Sequence, residues 1–139
     1  MYNMKKLLFF GATLLLMFVS CSKDDDVPEV PVEPVRYYVK YEVTFNTQHI
    51  NAPRHINFTN ENGSQTISLT NEAKTVIWDR TYGPVDKNFV ASLDCNVGNY
   101  QYSSNIHAKI SISRDQEPFV LKAERSGTRS VTLQYKIDF

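Results

Sequence analysis

Hydrophobic and polar positions follow three different patterns along the 139-residue chain. Residues 7–19 are mostly apolar, residues 24–35 mix acids, prolines and valines, and after Arg36 apolar residues alternate with polar ones. An alternation with a period of two places successive side chains on opposite faces of an extended strand. The region after Arg36 therefore predicts β-strands, each with one face toward a core.

Eight segments show this alternation. Their predicted inward positions are Val39, Tyr41, Val43 and Phe45; Ile56 and Phe58; Ile67 and Leu69; Val76 and Trp78; Phe89, Ala91, Leu93 and Cys95; Ile106, Ala108, Ile110 and Ile112; Phe119, Leu121 and Ala123; and Val131, Leu133, Tyr135 and Ile137. Residues typical of turns separate them at Asn60 to Gly63, Tyr82 to Pro84, Val97 to Asn99, Arg114 to Pro118 and Ser126 to Thr128. No stretch has a sustained helical period. We therefore predict an all-β domain over residues 37–139, an antiparallel two-sheet sandwich of immunoglobulin-like type with seven to eight strands.

The first apolar run has the features of a secretory signal. Lys5 and Lys6 precede it, and its 13 residues fall short of the roughly 20 that a membrane-spanning helix needs. It ends in Ser20-Cys21, which resembles the lipobox at which bacterial signal peptidase II cuts before a diacylated cysteine. The resemblance implies a signal peptide over residues 1–20 and lipidation of Cys21. An uncleaved, buried helix is the alternative.

The residues after Cys21 bear on location. A lysine followed by acids resembles the export signal of surface lipoproteins in Bacteroidota, and the residues concerned are Lys23, Asp24, Asp25 and Asp26. This resemblance implies an outer-membrane protein, lipid-anchored and displayed on the cell surface; a solvated spacer on the periplasmic face is the alternative. Prolines at positions 28, 31 and 34 favour polyproline II geometry. Residues 21–36 are thus predicted to be an anchor and an acidic, proline-rich stalk.

The charge and cysteine content disfavour two classes of function, nucleic-acid binding and thiol chemistry. The chain has 15 basic and 15 acidic residues, so no overall field favours nucleic acid. Once Cys21 is lipidated, Cys95 is the one remaining cysteine, and its place among inward positions predicts a small buried hydrophobe. A reactive thiol is the alternative, although Asp94 would raise its pKa. Trp78 is predicted to lie in the core, with a partner-binding position at a sheet edge as the alternative.

The chain carries no recognisable catalytic motif. It lacks the Gly-x-Ser-x-Gly, Walker-type, Cys-x-x-Cys and His-Glu-x-x-His patterns. The histidines His49, His55 and His107 are expected to be solvated; a metal site through His49 and His55 is the less favoured interpretation. After Arg36 the carboxylates are scattered singly among basic residues, which is not the paired arrangement of a glycoside hydrolase. We therefore predict a protein that is not an enzyme and that uses neither metal nor cofactor.

Tyrosines in polar loops are the sequence's positive indication of binding. Tyr100 and Tyr102 lie among Gly, Asn and Ser residues, as rigid rings do in binding loops, and Tyr82 lies beside Gly83. These three tyrosines are the predicted partner-binding residues. The alternative is that the rings cap the end of the sandwich.

The order of the strands also resembles a family. The first strand from Val39 to Val43, a strand ending at Trp78, a strand from Val90 to Leu93 and the strand from Ala108 to Ile112 are similar to the small β-sandwich of the mycobacterial small membrane protein (MmpS) family. This chain lacks the second domain cysteine of that family. The resemblance implies an accessory of an envelope transport complex.

Two function hypotheses follow. The first is a lipid-anchored binding or accessory module that engages a protein or glycan by its loops or a sheet edge. The second is a structural component of an envelope assembly, such as a transporter accessory or a fibre subunit.

Overall fold

The alternating region forms eight β-strands in the computed structural model, which describes residues 33–70, 72–98 and 104–139. The strands are β1 (Tyr37–Thr47), β2 (Arg54–Asn60), β3 (Gly63–Leu69), β4 (Thr75–Val85), β5 (Val90–Val97), β6 (Ser104–Arg114), β7 (Val120–Thr128) and β8 (Ser130–Lys136). They belong to a unit that extends from Glu33 to Phe139. The predictions for Cys21, for Lys23 to Asp26 and for Tyr100 and Tyr102 lie outside the described residues.

The strands form two four-stranded antiparallel sheets that pack against each other. Sheet A has the order β4-β1-β6-β7 and sheet B the order β3-β2-β5-β8. The predicted all-β, two-sheet sandwich is therefore confirmed, with eight strands. Immunoglobulin-like describes the architecture but not this strand order, because the constant-type fold places its first, second, fourth and fifth strands in one sheet. Here the first, fourth, sixth and seventh strands share a sheet.

The inward faces of both sheets make one core. β1 and β5 alternate strictly between buried and half-buried positions over most of their length, as the sequence pattern predicts. Trp78 is only 6% exposed although β4 is an edge strand, and Cys95 is fully buried. Both predicted core positions are thus confirmed. The fully buried apolar side chains at the centre are Val39, Tyr41, Phe45, Ile56, Ala91, Leu93, Cys95, Ala108, Ile110 and Ile137.

Two predicted turns are wrong. Tyr82 to Pro84 lies inside β4, where one extra residue opposite β1 makes a bulge and the strand continues to Val85. Ser126 to Thr128 lies inside β7, and the chain reverses at Arg129, whose φ is 73°. Gly127 allows a close approach between chain segments, because a Cβ there would lie 2.8 Å from the carbonyl oxygen of Ser130. The turn-forming residues of these two segments therefore belong to a bulge in β4 and to a close approach between chain segments at Gly127, and not to the predicted chain reversals.

The predicted core face of β7 is also wrong at its first residues. Ala123 pairs with the inward Ile110, but Leu121 pairs with Ser111, so Lys122 is an extra residue that shifts the alternation by one. The bulge places Leu121 in register with the outward positions of β6. Phe119, Val120 and Leu121 are 41%, 54% and 48% exposed.

Candidate interaction surfaces

The exposed residues Phe119, Val120 and Leu121, called here the β7 apolar run, form the first candidate surface. They are three consecutive exposed apolar side chains: Phe119 directly precedes β7, and Val120 and Leu121 are the first two residues of this edge strand of sheet A. An edge strand presents unpaired backbone N–H and C=O groups on its free side. The run thus combines exposed apolar side chains with free backbone hydrogen-bonding groups.

Aromatic residues at the C-terminus lie beside the run. The Lys122 ammonium lies 4.4 Å from the ring centroid of Phe139 and 5.7 Å from that of Tyr135. Phe139 packs edge-on against Tyr37 with ring centroids 5.6 Å apart, and the Tyr37 hydroxyl donates to the carbonyl oxygen of Phe139 at 2.5 Å. These contacts order Lys122 and the C-terminus around the start of β7.

The β7 apolar run lies at the end of the sandwich where the chain enters it. The Arg36 N–H donates to Asp115 Oδ1 at 2.9 Å, and the Asp115 N–H donates to the Arg36 carbonyl at 2.7 Å. This pair of hydrogen bonds holds the β6–β7 turn against the start of β1. The turn leads directly into Phe119.

Sequence reasoning missed this surface because it assigned Phe119 and Leu121 to the core. A signal was nevertheless present, since Val120 makes the segment three apolar residues in a row. A strand with one buried face does not need such a run. The place where the alternation fails marks the exposed segment.

Tyr82 has a different setting from the one predicted for a binding residue. Its ring is half-buried and stacks on Phe58 with centroids 5.0 Å apart, and it lies 6.2 Å from the ring of Tyr41. Burial raises the pKa of Tyr82. This is the arrangement that the capping alternative describes, and a role of Tyr82 in partner binding stays a prediction.

The outward face of sheet B is a second candidate surface, made mainly of hydroxyl and amide side chains around the carboxylate of Asp94. The strand register aligns them in rows, of which the middle one contains Thr66, Asn57, Asp94 and Thr132. Thr66 Oγ1 donates to Asn57 Oδ1 at 2.8 Å, Asn57 Nδ2 donates to Asp94 Oδ1 at 3.3 Å, and Thr132 Oγ1 donates to Asp94 Oδ2 at 2.7 Å. One hydrogen-bonded chain thus crosses all four strands.

The histidines make local pairs. His55 Nδ1 lies 2.9 Å from Ser68 Oγ, and among the described residues no carboxylate is hydrogen-bonded to His55. His107 Nε2 lies 2.7 Å from Glu124 Oε1, and this contact is the main reason why the pKa of Glu124 is lowered. Within the described ranges, no three His, Cys, Asp or Glu side chains are grouped so as to hold a metal ion.

Two buried polar groups serve the fold. Burial, with a smaller contribution from Asp94, raises the pKa of the Cys95 thiol to about 12, so the thiol is neutral at physiological pH. Sequence reasoning missed Arg54, which is fully buried. Its Nη2 donates to Thr47 Oγ1 at 2.8 Å and to the Ala73 carbonyl at 2.7 Å. A signal for Arg54 was present, because it occupies an inward position two residues before Ile56.

Comparison with known proteins found no match, whether among family models, curated proteins or solved structures. In the part of the chain that the structure describes, no helix has the length and apolar character needed to cross a membrane.

Proposed function

We propose that this protein is a lipid-anchored module of the bacterial cell envelope that binds a partner protein through the β7 apolar run and carries out no catalysis. The observation that carries the proposal is the exposure of Phe119, Val120 and Leu121 where the edge strand β7 begins. Exposed apolar side chains close together at one sheet edge are a feature of interaction sites. The anchor at Cys21 and display at the cell surface rest on the resemblances of the N-terminal sequence.

The chemistry of the run favours a protein over a lipid or a glycan. Unpaired backbone groups of an edge strand lose several kcal/mol each in hydrocarbon, which disfavours burial in a bilayer. Glycan sites use flat aromatic rings, whereas two of these three residues are aliphatic. A partner segment in extended conformation satisfies both features, because it can pair with Val120 and Leu121, which precede the bulge and the charged residues of β7, and cover the side chains.

The position of the run supports the same proposal. It lies at the end of the domain that follows the predicted stalk, held there by the hydrogen bonds between Arg36 and Asp115. These hydrogen bonds place the turn that precedes the run beside Arg36, the last residue of the predicted stalk. The second candidate, a structural component of an envelope assembly such as a transporter accessory, is favoured if the partner is recovered in a constant ratio with this protein.

The anchor is tested by replacing Cys21. The Cys21→Ala variant should remain a soluble precursor because it cannot be acylated, while the wild type partitions with membranes. Protease added to intact cells should remove the wild-type domain, and alanines at positions 23–26 should protect it. Equal membrane partitioning of the Cys21→Ala variant would reject the anchor.

The binding surface is tested by cross-linking in intact membranes followed by purification of the protein. The double variant with Phe119→Ser and Leu121→Ser should lose its cross-linked partner, with affinity reduced about 30-fold, which corresponds to about 2 kcal/mol for a binding hot spot. Ile77→Ser is the matched control, because Ile77 is 72% exposed on β4, the opposite edge of the same sheet. The Ile77→Ser variant should retain the cross-linked partner.

A further double variant separates this surface from the loop that the sequence predicted. Tyr100→Ser with Tyr102→Ser should leave the cross-linked partner unchanged if the β7 apolar run is the site. Loss of the partner in this variant, with retention in the β7 variant, would move the binding site to the loop. Thermal melting of each variant confirms that the domain is folded.

A further inference from the structure

The four edge strands of the sandwich differ in how they are protected against pairing with another strand. β4 and β7 are the edges of sheet A, and β3 and β8 are the edges of sheet B. Proteins protect such edges with charges, prolines, bulges or a covering segment, because a bare edge is a template for another strand.

Three of the edges carry them. β4 contains Asp79, Arg80 and Pro84 and has a bulge opposite β1. β7 contains the bulged Lys122 together with Glu124 and Arg125. The guanidinium of Arg125 reaches across to β8 and donates to the carbonyl oxygen of Thr132 at 3.4 Å, which occupies part of the β8 edge.

The fourth edge, β3, carries none. Its seven residues, Gly63–Leu69, have neither charge nor proline. Their pairing with β2 runs without a bulge from Asn60 opposite Gly63 to Arg54 opposite Leu69. Ile67 and Leu69 are only half-buried against the core, so their outer surfaces are left partly uncovered at this edge. β3 has no bulge and no charge, and its core-facing side chains are partly uncovered. These are the properties of an edge that can pair with another strand.

We infer that β3 is a self-association site, at which two copies of this chain pair their β3 strands antiparallel and join their B sheets into one sheet of eight strands. Such a contact has two-fold symmetry and uses the same residues from both copies. It is a different surface from the β7 apolar run and does not depend on the partner proposed there.

The sequence of β3 fits this symmetric pairing. Full overlap of two antiparallel copies places Thr66 opposite the partner's Thr66 on the two-fold axis, with Ser64 opposite the partner's Ser68 on the outward face. Threonine and serine pairs of this kind stabilise neighbouring strands. On the inward side, Gln65 lies opposite the partner's Ile67, so that the half-covered edge of each core gains a neighbour.

Charge favours a second copy as the occupant. A partner strand that carried charges would place them against neutral hydroxyl and apolar groups, and the other three edge strands of this chain all contain charged residues. Among the described edge strands, β3 is the one without a charged residue, so a second copy of β3 is the strand whose charge matches it. The outward faces that the pairing would join are also neutral along β3, because Ser64, Thr66 and Ser68 face outward there.

The first test introduces a charge of either sign at the symmetry axis. The mature lipidated chain in detergent is examined by light scattering during size exclusion, as wild type and with Thr66→Lys or Thr66→Glu. We expect the wild type to dimerise and each variant to be monomeric, with dimerisation weakened about tenfold or more because like charges meet on the axis. An equimolar mixture of the two variants should dimerise again, since opposite charges then meet.

The mixture keeps the test decisive if a single variant is less stable, because restored pairing requires both chains to be folded. A wild type that stays monomeric over the accessible concentration range would overturn the inference. Dimers that persist in both single variants would place self-association on another surface and would also overturn it.

The second test places a cysteine on the axis. Thr66→Cys should form a disulfide-linked dimer when membranes containing the lipidated protein are oxidised, because residues directly opposite in antiparallel strands have Cα atoms about 4.5 to 5.5 Å apart, within disulfide range. Thr81→Cys is the matched control, an exposed threonine on the edge strand β4. Cross-linking of both variants to the same extent would mean random collision and would reject the pairing.

Discussion

The outward faces of the two sheets differ in how their side chains are held. On sheet A, ion pairs hold them. Lys40 Nζ lies 3.2 Å from a carboxylate oxygen of Glu42 and 3.1 Å from one of Asp79, and Lys109 Nζ lies 3.6 Å from one of Glu124. On sheet B, hydroxyl and amide groups form the middle row around the single carboxylate of Asp94. Both sheets nevertheless cover the same core.

This difference has consequences for association. Exposed ion pairs add little stability and weaken with salt, but charged side chains along a sheet discourage contact with a second sheet. The middle row of sheet B has one carboxylate, that of Asp94 on the central strand β5, and no charge on the edge strand β3. The edge strands of sheet A thus carry charges and bulges, whereas β3 of sheet B carries neither.

The largest expected effect tests whether the two sheets share one core despite their different exteriors. Leu93→Ala in sheet B and Ile110→Ala in sheet A should each lower the free energy of unfolding by about 2–5 kcal/mol, because both side chains are fully buried. Ile77→Ala, at an exposed position, should change it by less than about 0.5 kcal/mol. Urea denaturation measures all three, and a cost below about 1 kcal/mol at either buried site would mean that its sheet is loosely packed.

An intermediate effect is expected at alkaline pH, and it involves both sheets. Burial raises the pKa of Cys95 in sheet B from 9.0 to about 12, and that of Tyr41 in sheet A from 10.0 to about 12. Groups with a raised pKa in the folded state stabilise it fully below their ordinary pKa, and that stability is lost as the pH rises. The free energy of unfolding should therefore fall by about 2–3 kcal/mol between about pH 8 and pH 10.5.

The matched variants assign this loss to its two groups. Cys95→Ala should remove most of the alkaline loss and Tyr41→Phe a smaller part, because Tyr41 has the higher ordinary pKa. The slope of stability against pH is the measurement, and it is independent of any constant cost of either substitution. An unchanged slope in Cys95→Ala would show that the thiol ionises in the folded protein.

The smallest expected changes in the free energy of unfolding distinguish the outward face of sheet A from that of sheet B. Asp94→Ala should lower the free energy of unfolding by about 1 kcal/mol at any salt concentration, because it removes the acceptor for Asn57 and Thr132. Glu124→Gln should cost less, and its cost should vanish at about 1 M salt. Since the pKa of Glu124 is lowered, its contribution is present above pH 4.5 and is lost as the pH falls through the lowered pKa. Equal salt dependence of both variants would contradict the distinction between the faces.

Much of the fold is predictable from local sequence. Alternation with a period of two located all eight strands, and it placed Trp78 and Cys95 in the core, because the geometry of an extended strand fixes which side chains share a face. The turn from Asn60 to Gly63 was also predictable, since its residues favour a tight hairpin. These features depend on residues close together in the chain.

Other features depend on contacts between distant residues, and the tertiary structure alone decides them. Strand order determines that β3 is a bare edge and that β7 is exposed, and strand order is set by pairings between strands far apart in the sequence. The bulge at Lys122 shifts the alternation that placed Leu121 in the core, because its register is set by β6 and not by β7 itself. The sequence by itself determined where the strands are and which faces are apolar; the packing of the sheets decided which of those faces and edges remain available for binding.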